Sequence, residues 1–318
     1  MKRFIFGECV QGYSHIRSNT ECQDSMKMLE LEDGTIVMAV ADGHGSKSCP
    51  FSKTGSEIAV NVFCEEIAST YRAYQDTPEL LPSYLNREGT IRFAQGVEAE
   101  WKKRVLDAHT AMNREMPLSE DGQENYAAVY RMYGSTLLGL MITDSYVFAF
   151  QIGDGDITFA DSNGASYVVE GEKLLGVESH SLSSNGAWKK AVSVVRQRNW
   201  EELVPVMFML STDGFSNSFA SDDGFMENCS AYFGMILEHG ANAVAENLNV
   251  WLAETSQLGC GDDTTVLIAY FAPDPQPPVT DEPPEEPEQP EINSGDNDPE
   301  ESSVTDSGLT DTEIEEII

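Results

Sequence analysis

Hydrophobic residues in the first 273 positions recur in short runs that are either continuous or alternate with polar residues. Such runs predict β-strands. Ten segments fit this description: KRFIFGECV, SMKMLELE, TIVMAVA, STLLGLMI, YVFAFQI, ITFAD, SYVVE, AVSVV, VMFMLST and TTVLIAYF. Short turn sequences at residues 32–34, 143–145 and 161–164 separate several neighbouring strands. Because such turns join antiparallel strands, the pattern predicts hairpins and antiparallel sheets.

Three further segments repeat apolar residues at helical spacing: residues 53–74, about 91–115 and about 241–256. The predicted strands are clustered between these helical blocks. This order predicts sheets that pack on each other, with helices covering their outer faces, in one body that spans residues 1–273.

The composition changes at residue 274. Residues 274–318 contain eight of the chain's 14 prolines, 16 acidic residues and no Lys or Arg. Such a segment cannot bury enough apolar surface to offset the entropy lost on ordering, so we predict a disordered acidic tail. Its end, GLTDTEIEEII, regains apolar residues, which fits either a short docking peptide or a frayed terminus.

Charge narrows the choice of partners. The chain has 54 acidic and 19 basic residues and a formal charge of −35. An acidic surface repels phosphate backbones, so nucleic acids and anionic membranes are poor partners, whereas divalent cations and basic protein segments are favoured. With neither a signal-peptide core nor a run of about 20 apolar residues, the sequence predicts a soluble cytoplasmic protein.

The six cysteines are scattered without a C-x-x-C pair. This spacing argues against a zinc ribbon and predicts reduced, packed thiols.

Carboxylates recur where predicted strands begin or end. Asp42, Asp154 and Asp213 each follow an apolar run and stand next to a glycine, while Asp24 and the pair Asp262–Asp263 precede one. A single Asp-Gly is a common turn, but the recurrence predicts that several carboxylates converge on one rim. Glycine beside them lets a ligand or another part of the backbone approach closely.

Converging carboxylates need a counter-charge. Two like charges 4 Å apart repel by about 4 kcal/mol at an effective dielectric constant near 20. Hard oxygen ligands without an accompanying Cys and His set favour Mg²⁺ or Mn²⁺ over Zn²⁺, and no segment matches the EF-hand loop that would favour Ca²⁺.

The motifs ADGHG, YGSTLLGLMI with FQIGDGD, LSTDGF and GDDTTVLIAYF occur in an order that resembles the metal-dependent protein phosphatases of type 2C. GYSHIRSNTECQDS further resembles the bacterial branch of that family, and the resemblance covers residues 8–271. It implies an α+β fold, a four-layer αββα sandwich of two antiparallel sheets flanked by helices.

The resemblance also implies a two-metal centre with Mn²⁺ or Mg²⁺. Asp42 would bridge both ions, the Gly43 carbonyl would bind one, and Asp213 and Asp262 would bind the other. Asp24 would act through a metal-bound water. Asp154 matches the residue associated with a third, weaker ion in bacterial members.

The sequence departs from the family pattern at two positions. Gln23 stands where the family often has Glu before the acidic residue matched by Asp24, so one ion would bind more weakly. The position of the family's phosphate-binding Arg is occupied by Asn19. Arg17 would reach that place after a two-residue insertion, and His15 is the alternative if the register differs.

The implied reaction is attack by a metal-bridging hydroxide on a phosphoserine or phosphothreonine monoester. The leaving alkoxide is strongly basic, and His44, two residues after Asp42, is placed to protonate it; a general acid contributes about 10²–10⁴-fold. A cysteine phosphatase is excluded because no Cys is followed by Arg six positions later, and neither a P-loop nor a G-x-S-x-G elbow occurs.

We therefore predict a Ser/Thr protein phosphatase that reverses kinase signalling in a bacterium and acts on a phosphorylated protein. The alternative is a catalytically weak, phosphatase-like regulatory module, which Gln23, the displaced Arg17 and the acidic tail favour. A third hypothesis makes the tail a specificity element that recruits a basic partner or covers the rim of the cleft. Residues 171–190 form either a flap over the site or a surface loop.

Overall fold

The computed structural model describes residues 1–169, 180–198 and 203–274. The predicted acidic tail, apart from its first residue, lies outside the described residues. So do residues 171–179 of the segment 171–190 that is predicted as a flap or surface loop, while residues 180–190 are described.

Within the described residues, ten strands overlap the ten predicted segments, although the strand predicted at residues 166–170 lies at Gly164–Tyr167. In chain order they are β1 (Lys2–Val10), β2 (Ser25–Glu30), β3 (Ile36–Ala41), β4 (Leu137–Ile142), β5 (Tyr146–Ile152), β6 (Asp156–Asp161), β7 (Gly164–Tyr167), β8 (Val192–Gln197), β9 (Val206–Ser211) and β10 (Thr264–Ala272). They form two five-stranded antiparallel sheets, ordered β1-β10-β9-β6-β7 and β2-β3-β4-β5-β8. The predicted antiparallel pairing is confirmed.

Eight α-helices accompany the sheets in the described part of the chain. They are α1 (Tyr13–Ser18), α2 (Ser52–Ala73), α3 (Leu81–Glu88), α4 (Ala94–Ala111), α5 (Tyr126–Met132), α6 (Asp213–Ser216), α7 (Asp222–His239) and α8 (Ala241–Leu258). Short 3-10 turns span Pro78–Leu80 and Ala187–Lys190, and a π-helical turn, Gly89–Phe93, leads into α4.

Three apolar clusters account for the layers. The central cluster joins residues of both sheets, such as Met38 and Leu140 from one and Phe208 and Leu267 from the other. On the outer face of the second sheet, a cluster that includes Val37 packs against α2, α3 and α4. The third cluster packs the first sheet against α7 and α8.

The order of layers is therefore helices, sheet, sheet, helices, and the predicted α+β sandwich is confirmed. Strand β3 lies in the middle layers, and all six of its residues are buried. Burial on both faces explains why such strands are continuous apolar runs in the sequence.

Helix α7 was not predicted from the sequence. It contains Gly224 and Gly234, which are poor helix formers. Its buried side, which includes Phe225, Cys229 and Tyr232, packs on the first sheet and supplies the stability that propensity does not. Among the described residues, no helix has both the length and the apolar character that crossing a membrane requires.

Candidate active site

Strand register in the second sheet makes two of the predicted carboxylates neighbours. Ser25 at the start of β2 lies opposite Ala41 at the end of β3. Asp24 and Asp42, one residue beyond these positions, therefore leave the sheet side by side.

The first sheet delivers further carboxylates in the same way. Ser211, the last residue of β9, lies opposite Asp156 on one side and Val266 on the other. Asp213 follows β9 after one intervening residue, and Asp262 lies just before β10. The ends of three adjacent strands thus present acidic side chains at one edge.

Asp24 connects the two sheets. Its carboxyl group is only 1% exposed, and its Oδ2 accepts hydrogen bonds from the hydroxyls of Thr212 and Thr265, each at 2.7 Å. Burial raises the pKa of Asp24 well above its usual range, and the two hydroxyls oppose that rise. The rim of one sheet is thereby tied to the rim of the other.

Asp42 experiences electrostatic repulsion from several other carboxylates of the cluster. Burial raises the pKa of Asp42 well above its usual range, and the charges of four other aspartates raise it further. In decreasing order of effect these are Asp24, Asp213, Asp262 and Asp154. The predicted set, drawn from five separate segments of the chain, therefore forms one cluster.

Asp213 shows the same effect. Its pKa rises to about 7, first through burial and then through the charges of Asp154, Asp262 and Asp156. The side chain of Asn217 donates a hydrogen bond to Asp213 Oδ2 at 2.9 Å. Asp156, which begins β6 and is 3% exposed, belongs to this group although sequence reasoning did not select it.

Asp262 and its neighbour Asp263 differ sharply in environment. The side chain of Asp262 is 57% exposed and accepts only the backbone N–H of Asp263, at 2.8 Å, among the hydrogen bonds of the described residues. Asp263 is 3% exposed and accepts the backbone N–H groups of Gly12 and Gln23 at 2.7 and 2.6 Å.

His15 lies against both of these carboxylates. Its Nδ1 is 2.9 Å from Asp263 Oδ1, and its Nε2 is 3.7 Å from Asp262 Oδ1. One atom from each of the three side chains can be chosen such that all lie within 4.8 Å of one another, close enough to surround a cation. Arg17, the other candidate phosphate ligand, is exposed, and its guanidinium lies 5.9 Å from the ring centroid of Tyr13.

The loop after Asp42 is held by close backbone packing. Asp42 donates its backbone N–H to the Thr136 hydroxyl at 2.9 Å. A Cβ at Gly43 would lie 2.8 Å from the Gln23 carbonyl oxygen and from backbone atoms of Ser52, so only glycine fits there. His44 donates its backbone N–H to Gly134 at 3.2 Å.

Gly134 and Gly214 also permit close approaches. A Cβ on Gly134 would lie 2.7 Å from Cδ2 of His44, so the imidazole packs directly on that backbone. A Cβ on Gly214 would lie 2.0 Å from the Asp263 carbonyl oxygen. Glycine therefore lets Asp213 and Asp262 approach each other.

Sequence reasoning gave no role to four residues of this site: Asp156, Thr212 and Thr265, which it did not select, and Asp263, which it named only as the neighbour of Asp262. Asp263 stands in the same motif as Asp262, and each threonine lies within three residues of a selected aspartate, so position alone could have found them. The hydrogen bonds that separate their roles are not visible in the sequence.

The donor set fits a hard divalent cation. It consists of carboxylate oxygens and one nearby imidazole, which suit Mg²⁺ or Mn²⁺ better than softer ions. The raised pKa values of Asp24, Asp42 and Asp213 show that the carboxyl groups lack compensating charge from the protein itself.

Comparison with known proteins agrees with this arrangement. Residues 11–253 match the family model described as "Protein phosphatase 2C". A search of curated protein sequences found no match.

Solved structures share the fold at low sequence identity. The serine/threonine phosphatase of S. agalactiae is 12% identical, with a TM-score of 0.55, and the match covers 85% of this chain and all of that one. PppA, described as a regulatory component of T6SS in Pseudomonas aeruginosa, is 17% identical, with a TM-score of 0.53 and coverage of 85% and 99%.

The catalytic domain of the serine/threonine phosphatase PstP, solved in complex with two manganese ions, is 13% identical, with a TM-score of 0.50 and coverage of 85% and 99%. At these identities the structures support the fold alone. The family model matches well over half of the sequence, and the chain therefore belongs to the protein phosphatase 2C family.

Proposed function

We propose that the protein is a metal-dependent serine/threonine phosphatase that hydrolyses phosphoserine and phosphothreonine in proteins. The observation that carries the proposal is the position of Asp42, whose pKa is raised by burial and by four aspartates from four other segments. A fold gains nothing from such repulsion unless a cation relieves it. The membership in the phosphatase family and the activities named for its structural neighbours support the assignment.

Two divalent ions, with a third more weakly held, are proposed to bind here. The proposed ligands are Asp42, the Gly43 carbonyl, Asp213, Asp262, Asp24 and Asp154. The two manganese ions described for PstP support Mn²⁺, and the oxygen donors suit Mg²⁺ equally well. When bound, such ions bind phosphate oxygens and lower the pKa of water toward neutrality.

The chain's own residues have separate proposed tasks. His44 gives a proton to the seryl or threonyl oxygen as the ester bond breaks. Its backbone hydrogen bond to Gly134 and its packing on that glycine restrict the position of the imidazole ring. Asp263 holds His15 through Nδ1, which turns Nε2 toward Asp262 and the substrate side of the rim.

Of the two candidate phosphate ligands, the geometry favours His15. Its imidazole already lies at the carboxylate rim, whereas the guanidinium of Arg17 lies against Tyr13. We therefore expect His15→Ala to raise KM for small phosphate esters more than Arg17→Ala does.

The decisive experiment measures hydrolysis of p-nitrophenyl phosphate and of a phosphothreonine peptide by the purified protein with Mn²⁺. Turnover that Asp213→Asn abolishes supports the proposal. Asp107→Asn is the matched control, because Asp107 is an exposed aspartate on α4 and lies outside the cluster. Folded protein that turns over neither substrate, or Asp213→Asn protein with full activity, contradicts it.

Calorimetric titration with Mn²⁺ separates the enzyme from the regulatory alternative. Tight binding with turnover identifies a phosphatase, and failure to bind identifies a binding module that has kept the fold. Gln23 motivates the comparison, and its Oε1 would lie 2.3 Å from a Cβ on Gly45, so the amide packs on the loop that carries His44.

The biological setting is proposed from the same assignment. The substrate would be a protein phosphorylated by a Ser/Thr kinase in the cytoplasm of a bacterium. The acidic tail would adjust the choice of substrate, so deleting residues 274–318 should change turnover of a phosphoprotein and leave that of p-nitrophenyl phosphate unaltered. An unchanged phosphoprotein rate would refute the role of the tail.

A further inference from the structure

Two cysteines from different segments meet beside the carboxylate cluster. Cys9 lies near the end of β1, Cys22 lies in the loop before β2, and their sulfur atoms are 3.6 Å apart. Both side chains are half-buried and both thiols are free. Of the other four cysteines, three are buried and Cys260 is exposed.

A cavity gives small molecules access to Cys9. It has a volume of about 280 Å³, and Cys9, Asp24 and Lys53 are among the residues that line it. The Lys53 ammonium donates to the backbone carbonyl of Asp24 at 2.8 Å on the same wall. A water molecule occupies about 30 Å³ in the liquid, so a hydroperoxide fits easily.

The pair is connected to the site through the backbone. The Cys9 thiol lies 3.6 Å from the Asp24 carbonyl oxygen. Cys22 immediately precedes Gln23, whose N–H donates to Asp263 and whose carbonyl accepts from Ser56 at 2.6 Å. A shift of Cys22 therefore moves a peptide that supports two of the buried aspartates.

We propose that Cys9 and Cys22 are a redox-sensitive pair that a hydroperoxide converts into a reversible disulfide, and that closing the bond displaces the segment holding Asp24 and Asp263. The effect on catalysis rests on the proposed phosphatase function, whereas the disulfide and the displacement do not.

The reaction balances with hydrogen peroxide as the oxidant. The Cys9 sulfur attacks one peroxide oxygen, the O–O bond breaks, and one water leaves with the thiol proton, which gives a sulfenic acid. The Cys22 sulfur then attacks the sulfenic sulfur, the S–O bond breaks, and the hydroxyl leaves with the second thiol proton as water. Two thiols lose two electrons, and one peroxide is reduced to two waters.

Formation of the disulfide should displace Cys22 more than Cys9. A disulfide needs its sulfur atoms about 2.05 Å apart, so they must approach by roughly 1.5 Å. Cys9 is fixed in β1, where it pairs with Thr265 of β10 and its neighbours pair on either side. Residues 19–24 form no strand or helix, so this loop moves and takes the Gln23 N–H away from Asp263.

The test treats the full-length protein with hydrogen peroxide, alkylates the remaining thiols and maps peptides by mass spectrometry without reduction. A linked pair of peptides containing Cys9 and Cys22, 2 Da lighter than the sum of its thiol forms, is expected, because closure removes two hydrogens. Cys9→Ser and Cys22→Ser should prevent the link, and the matched control Cys260→Ser should retain it. Alkylation of both thiols after peroxide treatment overturns the proposal.

Hydrogen–deuterium exchange measures the displacement without any catalytic readout. Peptides covering residues 10–24 should exchange faster in the oxidised protein and return to their original rate after dithiothreitol. A disulfide that forms without altering exchange there overturns the coupling.

Mn²⁺ titration adds the link to function. Loss of supporting contacts around a metal site costs about 10–100-fold in affinity, so oxidation should weaken Mn²⁺ binding by at least about tenfold. Reduced protein that fails to bind Mn²⁺ contradicts the proposed phosphatase, while peptide mapping and exchange still decide the redox pair. Equal Mn²⁺ affinity before and after oxidation contradicts the effect on the site.

Discussion

Two carboxylates of the rim, Asp263 and Asp42, occupy opposite environments. Asp263 is buried and receives two backbone N–H groups and the imidazole of His15, so the protein itself satisfies it. Asp42 faces four other aspartates, which together with burial raise its pKa. A carboxylate satisfied by the chain stabilises the fold, whereas one surrounded by like charges costs stability until a cation binds.

This difference separates structure from function within one cluster. Even neighbours in sequence differ in this way: Asp262 is exposed, whereas Asp263 is buried. Removing a carboxylate that faces like charges should therefore stabilise the metal-free protein, whereas removing one that accepts backbone hydrogen bonds should destabilise it.

The largest expected effect is on catalysis by Asp42→Asn. Removing the carboxylate that the proposal places between two ions should lower kcat/KM by about 1,000-fold, which corresponds to about 4 kcal/mol of transition-state stabilisation. The measurement is turnover of p-nitrophenyl phosphate with saturating Mn²⁺.

The same Asp42→Asn variant should be more stable than the parent when metal is removed, because one source of repulsion is gone. We expect a gain of roughly 1–2 kcal/mol and a rise in Tm of a few degrees in EDTA. A lower Tm in EDTA would show that Asp42, like Asp263, stabilises the metal-free fold.

Asp263→Ala should give the opposite result. It leaves the buried N–H groups of Gly12 and Gln23 without their acceptor, at roughly 1–3 kcal/mol each, so we expect a loss of about 3 kcal/mol in unfolding free energy. Urea denaturation should show this loss both with EDTA and with Mn²⁺. Asp263→Asn keeps one acceptor oxygen and should lose less; a loss confined to Mn²⁺-loaded protein would make Asp263 a metal ligand.

Removal of metal should also make stability fall as pH rises. The pKa of Asp213 is raised to about 7 by burial and by Asp154 and Asp262, and burial raises the pKa of Asp24 and Asp42 in the same direction. The folded state therefore holds protons that the unfolded chain, with carboxyl pKa values near 3.9, has lost. The contribution of Asp213 is fully present below about pH 4 and is lost as pH rises through about 7.

Urea unfolding in EDTA at pH values from 5 to 8 checks this sign. Asp213→Asn should show a shallower fall than the parent protein, and saturating Mn²⁺ should remove the fall attributed to the cluster. An identical slope in the variant would contradict the assignment to Asp213.

The smallest expected effect lies away from the rim. The Ser221 hydroxyl caps α7 by accepting the backbone N–H of Gly224 at 3.1 Å. Ser221→Ala should cost about 1 kcal/mol and lower Tm by about 2–4 °C, because the cap is lost, without changing kcat/KM. A matching fall in activity would show that the site depends on global stability more than on its own residues.

Much of the architecture could be predicted from sequence because the central strands are buried on both faces. Apolar runs such as β3, β4 and β5 are visible without knowledge of their partners. Helix α7 was missed because its contacts with the first sheet, rather than its own residues, stabilise it.

The recurrence of Asp at strand ends predicted which residues gather, but not their separate roles. Asp263 differs from Asp262 because of N–H groups 251 and 240 residues away in the chain. The closeness of Cys9 and Cys22 likewise depends on where β1 ends relative to the next loop, and a separation of 13 residues does not reveal it. The predicted roles of His44, Arg17 and the metal ligands stay predictions until the kinetic tests are made.

The position of β10 has a consequence for synthesis. The strand pairs with β1 on one side and β9 on the other, so β1 has no partner in its sheet until β10, the last described strand, is made. Asp262, which lies just before β10, is synthesised after all the other proposed metal ligands. A nascent chain that lacks Asp262 and β10 therefore cannot assemble the proposed metal site.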